Sequence, residues 1–166
     1  MRIRPALEAD VPRIAEVWEA AWHDGHRGLV APELVVHRSS ESFRERSAAM
    51  VDRTVVAELD GVVVGFVTLK KDELEQLFVD AAARGTGVAK ALLAEGARRL
   101  LAAGHEQPWL AVVSGNARAR HFYEREGWRD SGPLAYEAPV EGGSVTVDCR
   151  RYELQLAGQR EHGAKS

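Results

Sequence analysis

Leu77-Phe78-Val79 is followed by Asp80-Ala81-Ala82-Ala83 and then by Arg84-Gly85-Thr86-Gly87-Val88-Ala89. An apolar strand thus runs through a short loop into a glycine-bearing turn that opens a helix. Backbone N–H groups at a helix start have no intrahelical partner and carry partial positive charge. Glycines let an anion approach those groups, and Arg84 adds a cation at the same mouth. This chemistry suits a diphosphate. It is not a P-loop, because Gly85 and Gly87 stand too close together and Lys90 is followed by Ala91. Nor is it the dinucleotide fingerprint Gly-x-Gly-x-x-Gly, because the third glycine position holds Lys90. A plain turn and helix cap is the alternative for a bare Gly-x-Gly.

Other reactive residue types lie elsewhere. His23-Asp24-Gly25-His26 resembles a metal pair but lacks a third ligand, so a surface loop is the better reading and no metal is expected. Cys149 is the single cysteine, which excludes an intrachain disulfide and a multi-cysteine zinc site. Flanked by Val145 and Val147, it reads as a buried thiol and not as a nucleophile.

The elements that must position the glycine turn follow from hydrophobic period. Residues 2–7 predict a short edge strand interrupted by Pro5. Asp10 reads as the N-cap of a helix carrying Ile14, Val17, Trp18 and Ala21 at helical spacing. A loop is expected over 22–32, where Gly25, Gly28 and Pro32 fall, and a polar helix-like stretch over 32–50. Residues 53–59, 62–69 and 73–79 read as three strands in a meander, with a hairpin at Asp60-Gly61. Alternation along the third strand places Glu73 and Glu75 on one face with Leu77 and Val79, unless a bulge intervenes. An amphipathic helix is expected over 85–103, ending at Gly104; a buried strand over 109–113; and a helix from Asn116 to Glu126, closed by Gly127. Residues 128–137 and 144–155 form a final strand pair around Gly142-Gly143.

The chain has 166 residues, with 22 Lys plus Arg against 25 Asp plus Glu, a net charge of −3. That argues against a general nucleic-acid binder, which needs a basic face, and slightly favours a cationic partner. No apolar run approaches the ~20 residues of a membrane span, and the N-terminus shows no signal-peptide pattern. The expectation is a cytoplasmic protein that binds neither nucleic acid nor membrane, with one domain over 1–156 and a polar tail over 157–166.

Taken together, the segments carry a resemblance. Arg84-Gly85-Thr86-Gly87-Val88-Ala89 resembles motif A of the GNAT superfamily of acyl-CoA-dependent N-acetyltransferases, and Leu77-Phe78-Val79 resembles the strand before it. A later block, Trp109–Val113, Asn116, Phe122-Tyr123-Glu124 and Gly127-Trp128, is similar to the family's second half. The resemblance covers roughly 1–156 and is specific over 73–128. It implies an α/β (α+β) fold with a mixed, mostly antiparallel sheet of six to seven strands, helices on both faces and a splay after the fourth strand. It implies acetyl-CoA as co-substrate, the coenzyme A pyrophosphate on Arg84, Gly85, Thr86, Gly87, Val88 and Ala89, and the pantetheine arm along Leu77, Phe78 and Val79. Phe122 falls beside that arm, and Asn116 matches a position that contacts it, a plain N-cap being the alternative. Tyr123 matches the tyrosine beside the leaving thiolate, where a phenol serves as general acid. Glu73 matches a position that some members use as a base, often through water; Glu75 is the alternative, and a solvated carboxylate the simpler reading of either. Arg118, Arg120 and Arg125 form a basic helix face that could reach the coenzyme's 3′-phosphate, a solvated face being the default. Trp18, Trp22 and the histidine-bearing loop fall where the family shapes its acceptor slot, although core packing is the commoner fate of tryptophans.

The implied function is transfer of an acetyl group to a primary amine, a small molecule or a peptide, by direct attack in a ternary complex. Family members are often homodimers, and a monomer fits equally well. A non-catalytic acyl-CoA sensor with the same fold and a nucleotide-binding enzyme are the competing classes. The failed phosphate-loop patterns count against the latter.

Overall fold

The Asp60-Gly61 turn places both residues at positive φ, 51° and 78°, and so reverses the chain between two strands. The computed structural model describes residues 1–26 and 28–156; the tail expected over 157–166 lies outside the described residues. Strands β1 (Arg2–Pro5), β2 (Thr54–Leu59), β3 (Val62–Lys70), β4 (Glu73–Val79), β5 (Trp109–Val113), β6 (Trp128–Val140) and β7 (Gly143–Leu154) form one sheet in the order β1-β2-β3-β4-β5-β7-β6. All neighbours are antiparallel except β4 and β5. Helices α1 (Val11–His26), α2 (Pro32–His37) and α3 (Ser40–Met50) precede β2; α4 (Val88–Ala102) joins β4 to β5, and α5 (Ala117–Arg125) joins β5 to β6. The mixed, mostly antiparallel sheet with helices on both faces is as expected. Among the described residues no helix is long and apolar enough to cross a membrane.

Each face has its own core. Trp18 anchors the first, edge-on to Phe43 and Phe66 at 5.3 and 5.6 Å between ring centroids. Leu92, Leu93 and Leu100 of α4 pack the second against Val67, Leu74 and Leu110. Gly96 lets α4 descend onto the sheet: a Cβ there would stand 3.0 Å from Leu74 Cδ1 and 3.2 Å from Val67 Cγ2. This close approach fixes the start of α4 beside the end of β4.

β4 and β5 register only at Glu73 and Trp109. Beyond that pair they part, so β4 from Leu74 onward is partnered by β3 alone among the described residues. This is the expected splay.

Four sequence expectations are corrected. Helix α1 runs through Trp22 to His26 where a loop was expected, because Trp22 is buried and the His26 ring stacks on it at 4.9 Å. Asp10 belongs to a 3-10 turn before α1; its carboxylate accepts from Leu7 N–H (2.8 Å) and pairs with Arg4 (2.7 Å). The stretch 32–50 is two helices, the second capped by Ser39, whose hydroxyl accepts from Ser42 N–H at 3.2 Å. Lastly, a bulge displaces the alternation of β4. Thr68 of β3 faces Gln76 and Leu69 faces Leu74, leaving Glu75 as the extra residue. Leu74 therefore shares a core with Leu77 and Val79, and Glu73 lies on the opposite face from all three.

Candidate functional site

The end of β4, the start of α4 and α5 enclose a cleft of about 480 Å³. Leu77, Phe78 and Val79 line it from β4; Arg84, Gly85, Gly87, Val88 and Ala89 from the turn; Asn116, Phe122 and Tyr123 from α5 and its cap. Of the coenzyme-binding residues expected from sequence, Thr86 alone is absent from the lining. Its hydroxyl donates back to the Ala83 carbonyl, closing the turn.

Gly85 and Gly87 have φ of +79° and +85°, and Gly87 is the left-handed cap of α4. A Cβ at either would meet open space, so the left-handed backbone is what calls for glycine there. No side chain caps α4, whereas Ser39 caps α3 and the Asn116 Oδ1 caps α5 by accepting from Ala119 N–H at 3.2 Å. The bond from Ala91 N–H to Gly87 O (3.0 Å) belongs to the first turn of α4, so the N–H groups of Val88, Ala89 and Lys90 precede it. Lys90, Arg118 and Arg125 add cations to the lining. Arg84 is bonded at 2.6 Å to Asp24, which Arg118 also approaches at 3.8 Å, so α1 crosses the mouth between the turn and α5. Arg84 holds the Asp24 carboxyl below its usual range. Arg120, expected on the same basic face, instead bonds Ser114 O (2.9 Å), Tyr152 Oη (3.1 Å) and Asp130 (3.2 Å).

A second, smaller cavity of about 180 Å³ lies between the sheet and α1–α3. Glu73 and Glu75 both line it, and their environments differ. Glu73 is 8% exposed, and Tyr136 Oη donates to its Oε2 at 2.6 Å. Burial raises the Glu73 pKa above the usual carboxylate range; the Tyr136 hydrogen bond opposes that rise and the neighbouring charge of Glu75 adds to it. Glu75 accepts from Arg53 at 3.0 Å and lies 3.9 Å from Lys70. The Cys149 thiol also lines this cavity; burial pushes its pKa up to about 11, leaving little thiolate at neutral pH.

His26, Leu77, Phe78, Asn116, Ala119 and Tyr123 line both spaces and form the junction between them. Tyr123 is half-buried there, and desolvation raises its phenol above the usual value, so it stays protonated. His26 Nδ1 lies 2.8 Å from the Trp22 carbonyl, which can only accept; Nδ1 therefore carries the proton and neutral Nε2 keeps a lone pair. Burial lowers the His26 pKa, favouring that neutral form. Among the described residues no cluster of His, Cys, Asp and Glu could hold a metal ion. Trp18 is wholly core, whereas Trp22 both packs and lines the cavity.

Sequence reasoning placed His26 in a loop near the acceptor slot and missed Tyr136, Arg38 and Arg46. Alternation of Leu134, Tyr136 and Ala138 along β6 puts Tyr136 on the inward face, a signal that was available. Arg38 and Arg46 had none, because the stretch over 32–50 is polar on sequence grounds.

A model described as the acetyltransferase (GNAT) family matches residues 12–128. Among solved structures, a ribosomal-protein-alanine N-acetyltransferase from Brucella melitensis is 21% identical with a TM-score of 0.70, over 94% of this chain and 100% of that one. The PaiA N-acetyltransferase from Thermoplasma acidophilum, solved in complex with coenzyme A, is 20% identical with a TM-score of 0.63, over 93% and 98%. YncA from Salmonella typhimurium, solved with its cofactor acetyl-CoA, is 22% identical with a TM-score of 0.66, over 94% of each. At these identities the structures bear on the fold.

Proposed function

The chain belongs to the GNAT acetyltransferase family, and from that premise we propose that it is an N-acetyltransferase that moves an acetyl group from acetyl-CoA to a primary amine by direct attack. One observation carries the reading: the cleft with the uncapped helix start and the cavity with the buried carboxylate meet at a shared wall, with Tyr123 in it.

The residues present fit the coenzyme. The N–H groups of Val88, Ala89 and Lys90 and the cations Lys90, Arg118 and Arg125 suit its diphosphate. The unpartnered edge of β4 at Leu77–Val79 suits the amides of its arm. When bound, acetyl-CoA supplies a thioester carbonyl as the electrophile and a thiolate as the leaving group.

The amine must lose a proton to attack. Glu73 accepts it: its raised pKa makes it a stronger base than an ordinary glutamate, and Tyr136 fixes one of its oxygens. Glu75 is committed to Arg53 and serves electrostatics alone. Tyr123, protonated at the junction, donates to the departing sulfur. Cys149 takes no part, its buried thiol being a poor nucleophile, which supports transfer without an enzyme-bound acyl group. A second reading assigns the base role to His26, on the ground that its Nε2 lone pair stands at the junction.

The test is thiol release from acetyl-CoA with a panel of primary amines, comparing wild type with Glu73→Gln and His26→Gln. Amine-dependent release that Glu73→Gln abolishes supports the reading. Larger loss in His26→Gln moves the base to His26. Saturable coenzyme binding with no amine-dependent release would make the chain a binder and sink the enzyme.

A further inference from the structure

Several part-buried arginines are matched to acids: Arg4 to Asp10 and Glu58, Arg13 to Asp80, Arg150 to Asp130. Arg38 and Arg46 are the exceptions that matter, because both line the inner cavity. Arg38 is 4% exposed, and its Nε is buried with no hydrogen-bond partner. Arg46 is half-buried with its guanidinium 4.4 Å from the Trp18 ring centroid. Neither forms an ion pair within 4.0 Å among the described residues; the charge of Glu75 reaches Arg46, but Glu75 is bonded to Arg53. Burial lowers both pKa values, that of Arg46 to about 10, and the two cations repel each other across the wall. A buried guanidinium without a counter-ion is costly enough that folded proteins rarely keep one, so the missing anion belongs to a ligand.

Arg38, Arg46, Glu75 and Pro139 also line an outer groove between α2, α3 and the tip of β6. These residues therefore form the wall between the inner cavity and that groove, on the side away from the coenzyme cleft. Arg38 and Arg46 face both spaces, whereas Glu73 lines the inner one alone. The small cavity admits a group of side-chain size.

Building on the N-acetyltransferase reading, we propose that the acceptor is a small amine that also carries a carboxylate, as a free amino acid does, with the carboxylate held by Arg38 and Arg46 and the amino group presented to Glu73. The planar guanidinium fork matches a carboxylate in two hydrogen bonds. A polyamine or an aminoglycoside, cationic throughout, has no anionic group to pair with Arg38 and Arg46.

The experiment measures amine-dependent thiol release from acetyl-CoA with the full chain. The panel holds free amino acids of increasing size, their carboxamides, an aminoalkylphosphonate and spermidine. Free amino acids are expected to exceed their carboxamides in kcat/KM by roughly ten- to hundredfold, the worth of a charged hydrogen-bonded contact. Arg38→Gln and Arg46→Gln should raise the amino-acid KM by about tenfold or more, narrow the gap to the carboxamides, and leave the KM for acetyl-CoA unchanged. Should either variant misfold, the wild-type panel decides alone. Equal use of acids and carboxamides, or preference for spermidine, overturns the carboxylate site while leaving the N-acetyltransferase intact; preference for the phosphonate overturns the carboxylate assignment. If no amine is acetylated although coenzyme A binds, the parent reading fails instead.

Discussion

The proposed coenzyme site and the proposed acceptor site are built from different materials. The cleft at the α4 start is made of backbone: two left-handed glycines, an uncapped helix turn and a strand edge, all within residues 77–90. The cavity under α1–α3 is made of side chains that converge from distant elements: His26, Arg38, Arg46, Glu73 and Tyr136. Backbone recognition tolerates change in side chains and suits a coenzyme shared by many enzymes. Side-chain recognition changes with single substitutions and suits an acceptor that differs from one enzyme to the next. The two halves should therefore fail differently when altered.

The largest effect is expected at Glu73. Glu73→Gln should lower kcat by about 10²–10⁴, the usual worth of a general base, and leave acetyl-CoA binding unchanged in calorimetry. The pH profile sharpens this expectation. Glu73 must be ionised to accept a proton, so activity falls as pH drops through its raised pKa, and the acid limb should sit above the usual glutamate range. A carboxyl whose folded pKa is raised supports the fold while protonated and withdraws that support as pH rises through the folded value. At neutral pH, Glu73→Gln should therefore melt no lower than wild type. Removing the function should not weaken the protein, and a drop in Tm would give Glu73 a structural role.

Tyr123→Phe comes next, with a kcat loss of roughly tenfold to hundredfold and coenzyme affinity retained. Parallel loss of both would make Tyr123 a packing residue. Because burial raises its phenol above the usual value, Tyr123 should impose no alkaline limb up to the ordinary tyrosine range. Glu75→Gln should change least. Its partners Arg53 and Lys70 line the outer groove and not the inner cavity, and activity should stay within about threefold of wild type, as for most part-exposed ion pairs. A loss as deep as that of Glu73→Gln would erase the distinction between the two carboxylates.

The same division explains what the sequence revealed. The glycine turn, the Asp60-Gly61 hairpin and the Asn116 cap are local features, written in adjacent residues. The amphipathic period of α4 is equally local. The acceptor side depends on contacts between residues far apart in the chain. Tyr136 and Glu73 meet across 63 positions, and alternation alone could place Tyr136 inward without naming its partner. The bulge at Glu75 is a matter of register with β3, which no pattern within β4 encodes. Gly25 and the polar His23-Asp24 pair read as a loop, yet Trp22 and His26 packing on Phe43 and Phe78 hold the helix together. Arg38 and Arg46 sit in a polar stretch of the chain, and only the folded arrangement reveals that Arg38 is buried and that neither is in an ion pair among the described residues.

The backbone claim is tested most directly at Gly87, by calorimetric titration of coenzyme A into wild type and Gly87→Val. A valine at φ of +85° is strained by about 1–2 kcal/mol, which a domain of this size can absorb, so circular dichroism should show the variant folded. Wild type is expected to bind one coenzyme per chain, and the folded variant to show no saturable binding at concentrations that saturate wild type. Equal affinity in the two proteins would contradict the assignment of the coenzyme diphosphate to the α4 start.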